Sequence, residues 1–120
     1  MQLYAAAWGS GDIAAACVRC AEDFTLHYPG QNALTGAHVG KHDALDAYRE
    51  FARRSRRKPL RIVDVLTGSE RGVLIVREAV GPDAIEVERT LVFAVSGGLF
   101  IECWVHESDQ DQIDTLVGLA

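Results

Sequence analysis

The sequence Ile85-Glu86-Val87-Glu88-Arg89-Thr90-Leu91-Val92-Phe93-Ala94-Val95-Ser96-Gly97-Gly98-Leu99-Phe100-Ile101-Glu102-Cys103-Trp104-Val105-His106 decides the fold. Ile85, Val87, Arg89, Leu91, Phe93 and Val95 share one face, while Glu86, Glu88 and Thr90 begin the other. That period of two is the mark of a strand buried on one side. Ser96-Gly97-Gly98 supplies a turn, and 99–106 reads as the returning strand. Upstream, 73–80 ends at Gly81-Pro82-Asp83 and 60–67 ends near Gly68-Ser69. Turn signals at this regular spacing predict a four-strand antiparallel meander.

Farther upstream, a helix is expected from about His42 to Arg56, with Leu45, Tyr48, Phe51 and Ala52 on one face and Pro59 stopping it. Arg53, Arg54, Arg56, Arg57 and Lys58 gather at its end, where cations meet the negative end of the helix dipole. A phosphate or acidic-partner site is the functional alternative. Asp23 to Tyr28 alternates as a strand, with Phe24, Leu26 and Tyr28 on one face and Thr25 and His27 on the other. Pro29-Gly30-Gln31-Asn32 is loop chemistry, and Gly36 and Gly40 punctuate a short connector. Short helices are expected over 3–8 and 13–20, separated by Gly9-Ser10-Gly11-Asp12 with Asp12 as an N-cap. The tail from Ser108 turns apolar at Ile113, Leu116 and Val117, consistent with a last short helix. Helices first and strands after give an α+β class in one domain spanning 1–120.

Composition narrows the function. The chain has 120 residues, 48% apolar and 24% charged, which suffices for a core without metal or disulfide staples. Its net charge of −5 argues against nucleic-acid binding. No apolar run approaches the roughly 18 residues of a membrane span. Met1-Gln2-Leu3-Tyr4 has no basic region or signal core, so a cytoplasmic location is expected. Cys17, Cys20 and Cys103 are an odd number and are expected to be free thiols. Cys17-x-x-Cys20 has the spacing of a redox or zinc half-motif. With no second pair, inside an Ala-rich stretch, it reads as small apolar residues on a helix.

Several segments carry a family resemblance. Tyr4 to Asp12, Ala21-Glu22-Asp23-Phe24, His27 to Gly36, Gly40-Lys41-His42-Asp43-Ala44-Leu45 and Gly97 to Trp104 follow one another as they do in the nuclear transport factor 2-like superfamily. The chain resembles its SnoaL-like polyketide cyclase and ketosteroid isomerase branch over nearly its whole length. The resemblance implies a cone-shaped α+β barrel, with three N-terminal helices packed on a strongly curved, mostly antiparallel sheet. It also implies a pocket in the cone and a homodimer through the outer face of the sheet. Fold does not fix function, since the superfamily spans isomerases, cyclases, dehydratases, epoxide hydrolases and members without catalysis.

In a low-dielectric pocket a carboxyl pKa rises, giving a base usable near neutral pH. The resemblance to SnoaL-like cyclases points to Asp109, which follows Trp104 on the last strand with one residue more than the cyclase spacing. A helix N-cap is its structural alternative. His106 shares a strand face with Trp104 and Glu102 and could act as acid or base. His27 stands about where ketosteroid isomerases place their catalytic Asp; that Asp, and the second isomerase carboxylic acid, are absent here. Arg89 on an apolar face needs a carboxylate or an anionic ligand, and Asp64 and Arg77 could join it. An Asp-Arg-Asp group would suggest epoxide hydrolysis. Tyr4, Trp8, Tyr28, Tyr48 and Trp104 are candidate pocket walls. No metal-ligand spacing, phosphate loop or nucleophile elbow is present. The expectation is a cofactor-free isomerase or cyclase acting on a hydrophobic carbonyl compound. Alternatives are an epoxide hydrolase-like enzyme or a non-catalytic ligand-binding or dimerisation module.

Overall fold

The computed structural model describes residues 1, 4–6 and 17–120. The alternating stretch becomes strand β5 (Ile85–Ser96), paired on one side with β4 (Arg71–Val80) and on the other with β6 (Leu99–Glu107). β3 (Lys58–Thr67) completes the expected antiparallel meander. β1 (Cys20–Tyr28) adds to β6 in parallel, and β2 (Gly36–Val39) pairs antiparallel with β1. The sheet order is β2-β1-β6-β5-β4-β3. Breaks in register at Pro59/Arg61, Ile62/Asp64, Ala94/Val95 and Cys20/Thr25 insert bulges, which bend strands and increase twist. The class is α+β with a mostly antiparallel six-stranded sheet, as expected.

Helix α1 (Lys41–Ser55) lies across the sheet and buries Ala44, Ala47, Phe51 and Ser55. Pro59 does not terminate it. Arg56 takes the left-handed conformation at φ 52° directly after the helix, and Pro59 already lies in the edge strand β3, where its missing N–H costs no central ladder bond. The cation cluster is divided among partners: Arg54 reaches Glu50 and the carbonyls of Val117 and Ala120, Arg53 also pairs with Glu50, and Arg57 reaches Glu78. Helix α2 (Gln110–Val117) buries Ile113 and Val117 against the core.

Most of the expected helices at 3–8 and 13–20 falls outside the described residues, as do Trp8 and Asp12. Within them, 4–6 are helical, Cys17–Arg19 is a 3-10 turn, and Cys20 already opens β1 rather than ending a helix. The connector at Gly36 is a strand, held by pairing with β1 and bounded by Gly36 and Gly40 at φ 115° and 98°. The concave face of the sheet carries Phe24, Leu26, Leu74, Val76, Leu91, Phe93, Cys103 and Val105, all buried in one core cluster with Tyr4, Ala5 and residues of α1 and α2. Among the described residues no helix is long and apolar enough to cross a membrane.

Candidate functional site

Strand parity decides which polar groups enter the interior. On β6, Cys103 and Val105 face inward, so Glu107 follows them inward and its side chain is 1% exposed. On β4, Leu74, Val76 and Val80 carry Glu78 in at 0%. On β5, Arg89 enters between Val87 and Leu91. Three neighbouring strands thus bring a carboxylate, a guanidinium and a carboxylate together.

Arg89 Nε donates to both oxygens of Glu107 at 2.8 and 3.0 Å, and its Nη1 donates to Glu78 Oε1 at 3.1 Å. Arg57 Nε lies 3.3 Å from Glu78 Oε2. Two cations and two carboxylates balance, which is what makes burial tolerable. The Arg89 guanidinium also sits 4.2 Å over the Phe51 ring, whose plane stacks on Tyr28 at 5.2 Å. Burial pushes the Glu107 carboxyl above its ordinary range, opposed by the charge of Arg89. Burial likewise raises the Tyr28 phenol, opposed by Arg89 and Arg57. Among the described residues, buried Tyr28 Oη and Arg89 Nη2 have no hydrogen-bond partner, and buried Glu78 Oε2 is met only by the longer ion pair to Arg57. Two donors are therefore unspent in one region, an arrangement native interiors rarely leave.

A second polar group lies toward the other end of the same face. Tyr4 Oη donates to Tyr48 Oη at 3.2 Å, and the Cys103 thiol lies beside Tyr48. Burial raises both phenols well above their ordinary value and pushes the Cys103 thiol up to about 12, so all three are neutral donors. Phe93 and Phe100 pack edge-on against Tyr4 at 4.7 and 5.6 Å between centroids.

The expected catalytic set is not assembled in the cone. His106 is exposed on the convex face. Asp109 is exposed and accepts from the Gln112 backbone N–H at 3.1 Å, capping α2. His27 sits on the convex face too, with Nε2 2.6 Å from Glu102 Oε2 and its ring stacked on Trp104 at 5.4 Å. His27, Glu102 and Trp104 are thus together, but on the outside, because their strand positions alternate with the inward Leu26, Cys103 and Val105. Asp64 is exposed on β3 and Arg77 pairs with Glu86, so neither joins Arg89. Of the expected pocket walls, Tyr4, Tyr28, Tyr48 and Arg89 face the interior.

Sequence reasoning missed Glu78 and Glu107. Both continue an inward apolar alternation, Leu74-x-Val76-x-Glu78-x-Val80 and Cys103-x-Val105-x-Glu107, and that was the available signal. Elsewhere an open groove of about 370 Å³ is lined by Leu34, His38, Asp43, Asp46, Ala47 and Glu50. Beside it, exposed His42, Asp43 and Asp46 bring potential metal-ligand atoms within 4.8 Å of one another.

Comparison with known proteins agrees with this architecture. A protein of unknown function with a cystatin-like fold from Xanthomonas campestris superposes at TM-score 0.85, with 18% identity over 98% of this chain and 94% of that one. A putative polyketide cyclase from Sinorhizobium meliloti gives 0.70 at 13% identity, covering 87% and 90%. TerC co-crystallised with polyporic acid gives 0.76 at 11% identity, covering 93% of each chain. At these identities the likeness is one of fold. No curated protein matches the chain. The model of the SnoaL-like domain matches residues 1–103, and the chain belongs to that family.

Proposed function

We propose that this chain performs cofactor-free acid/base chemistry on a small hydrophobic carbonyl compound, isomerising or cyclising it at the Tyr28–Arg89–Glu107–Glu78 cluster. The observation that carries this reading is the pair of buried donors without a partner among the described residues, Tyr28 Oη and Arg89 Nη2, beside a carboxyl whose pKa burial has raised. A raised carboxyl is a base suited to neutral pH. Glu107 would take a proton α to the carbonyl and return it to another atom of the same molecule. Arg89 Nη2 and the Tyr28 hydroxyl would donate to the oxygen on which negative charge develops, in surroundings where such donors act strongly. The cluster is buried in this conformation, so substrate entry requires a movement that exposes it. The putative cyclase and TerC, whose partner in its crystal is polyporic acid, make an oxygenated hydrophobic substrate the natural class to test.

A second reading has its own support. Glu78 and Glu107 flank Arg89 as the two carboxylates of an epoxide hydrolase would, and Glu78 Oε2 has a lone pair free to accept from water. One experiment separates the readings. The protein is incubated with cyclic enones, aryl ketones and hydrophobic epoxides, in D₂O and in ¹⁸O-water, with mass spectrometry of the products. Carbonyl chemistry gives an isomer or ring-closed product, with deuterium on carbon wherever the carboxyl exchanges its proton before returning it; epoxide opening puts ¹⁸O in a diol. Either signal should fall at least about 100-fold in Glu107→Gln. Binding of these compounds with neither a new product nor isotope uptake would leave the ligand-binding module as the correct reading. The convex face, with Val73, Ile75, Val92 and Trp104 half-buried on it, is read as the homodimer surface.

A further inference from the structure

The three cysteines take no part in the chemistry above, yet two of them are placed for chemistry of their own. Cys17 opens the 3-10 turn and Cys20 is the first residue beyond it. Such a turn has three residues and rises about 2.0 Å per residue, so side chains at i and i+3 eclipse about 6 Å apart along the axis. Disulfides need Cα atoms roughly 4.4–6.8 Å apart. Both side chains are buried and both thiols are free. The third thiol, Cys103, is directed elsewhere, to Tyr48.

We infer that Cys17 and Cys20 are a reversible dithiol site, oxidised by hydrogen peroxide to an intrachain disulfide. Their proximity also divides the roles. The neighbouring Cys20 thiol, with Lys41 and Arg49 nearby, favours the Cys17 thiolate against burial. The nearby Cys17 sulfur and burial hold the proton on Cys20. Cys17 sulfur attacks one peroxide oxygen, the O–O bond breaks, and hydroxide leaves, giving a sulfenic acid at Cys17. Cys20 sulfur then attacks the Cys17 sulfur, the S–OH bond breaks, and the Cys20 proton leaves with the hydroxyl as water. In sum, two thiols and one peroxide give one disulfide and two waters: the sulfurs lose two electrons and the peroxide gains them. A thiol reductant reverses the change. The disulfide would tie the turn to the start of β1, beside Tyr4, whose phenol feels both sulfurs.

The sequence supplies a direct test, because Arg19 lies between the two cysteines and trypsin cuts after it. Intact protein is treated with a small excess of hydrogen peroxide and quenched. It is then analysed by thiol titration in denaturant and by non-reducing tryptic mass spectrometry. The thiols should fall from the three of the sequence to one. Intact mass should drop by about 2 Da, with full recovery in dithiothreitol. The peptide ending at Arg19 should migrate covalently joined to peptide 20–41 and separate on reduction. Cys103→Ser should still form this link; Cys17→Ser and, separately, Cys20→Ala should not. The peptide map of the unmutated chain keeps the test valid if either variant fails to fold. Three thiols surviving, a link that includes Cys103, an intermolecular dimer, or oxidation to sulfinic acid in place of the link would each overturn the inference.

Discussion

Replacing Arg89 with methionine tests whether the buried cluster is the centre of this molecule's interior. Methionine retains an apolar stem against Phe51 but deletes the two bonds to Glu107, the bond to Glu78 and the cation over the ring. Glu78 keeps Arg57 at 3.3 Å; Glu107 loses its guanidinium partner. Breaking a buried pair from one side costs about 3–5 kcal/mol, a large part of the roughly 5–15 kcal/mol that holds a domain together. The loss must also depend on pH. Burial already pushes the Glu107 carboxyl up, and Arg89 is the main force opposing it. Without Arg89 the folded-state pKa moves farther above the unfolded value of about 4.3. A carboxyl raised in the folded state favours folding below its unfolded pKa and withdraws that contribution as pH rises through the folded pKa. The deficit of Arg89→Met should therefore be largest at neutral pH and shrink toward pH about 4.5. Urea denaturation of both proteins across that range measures it. Arg89→Met/Glu107→Leu, which removes the stranded charge, should be more stable at neutral pH than Arg89→Met alone. A deficit under about 1 kcal/mol, equal at both ends of the range, would mean that the cluster is solvated and the proposed chemistry has no buried carboxyl to use.

Three further outcomes are expected. Asp109→Ala should cost about 1 kcal/mol by thermal unfolding through loss of the α2 cap, while any turnover found with the substrate panel stays at the wild-type rate. Gly30→Val should lower stability by at least about 1–2 kcal/mol, because Gly30 is at φ 87° and a Cβ there would lie 2.7 Å from Gln110 Cδ; chemical denaturation reads it. Sedimentation velocity should show a dimer for the unmutated chain and a monomer for Val92→Glu, with unchanged far-UV dichroism in both; a wild-type monomer would remove the convex face from consideration as an interface.

How far the sequence reached depends on what kind of information each feature carries. Local alternation and turn chemistry set the meander, since the periods of β3 to β6 and the Gly97-Gly98 turn are properties of adjacent residues. The apolar face of α1 was legible for the same reason. β2 was not, because the four residues Gly36–Val39, which open on a glycine and are followed by another, acquire strand character only by pairing with β1. The inward placing of Tyr28 and Arg89 followed from their own strand faces, but their partners did not. Glu78, Arg89 and Glu107 meet only because β4, β5 and β6 align in one register, with Arg89 opposite Glu107. The same register turned His27, Glu102 and Trp104 outward as a group, and the start of α2 turned Asp109 into a cap. Sequence alone therefore determined which residues lie on the same side of each strand. Tertiary structure decided which side is dry, and so which carboxyls lose their water and become chemically different from the rest.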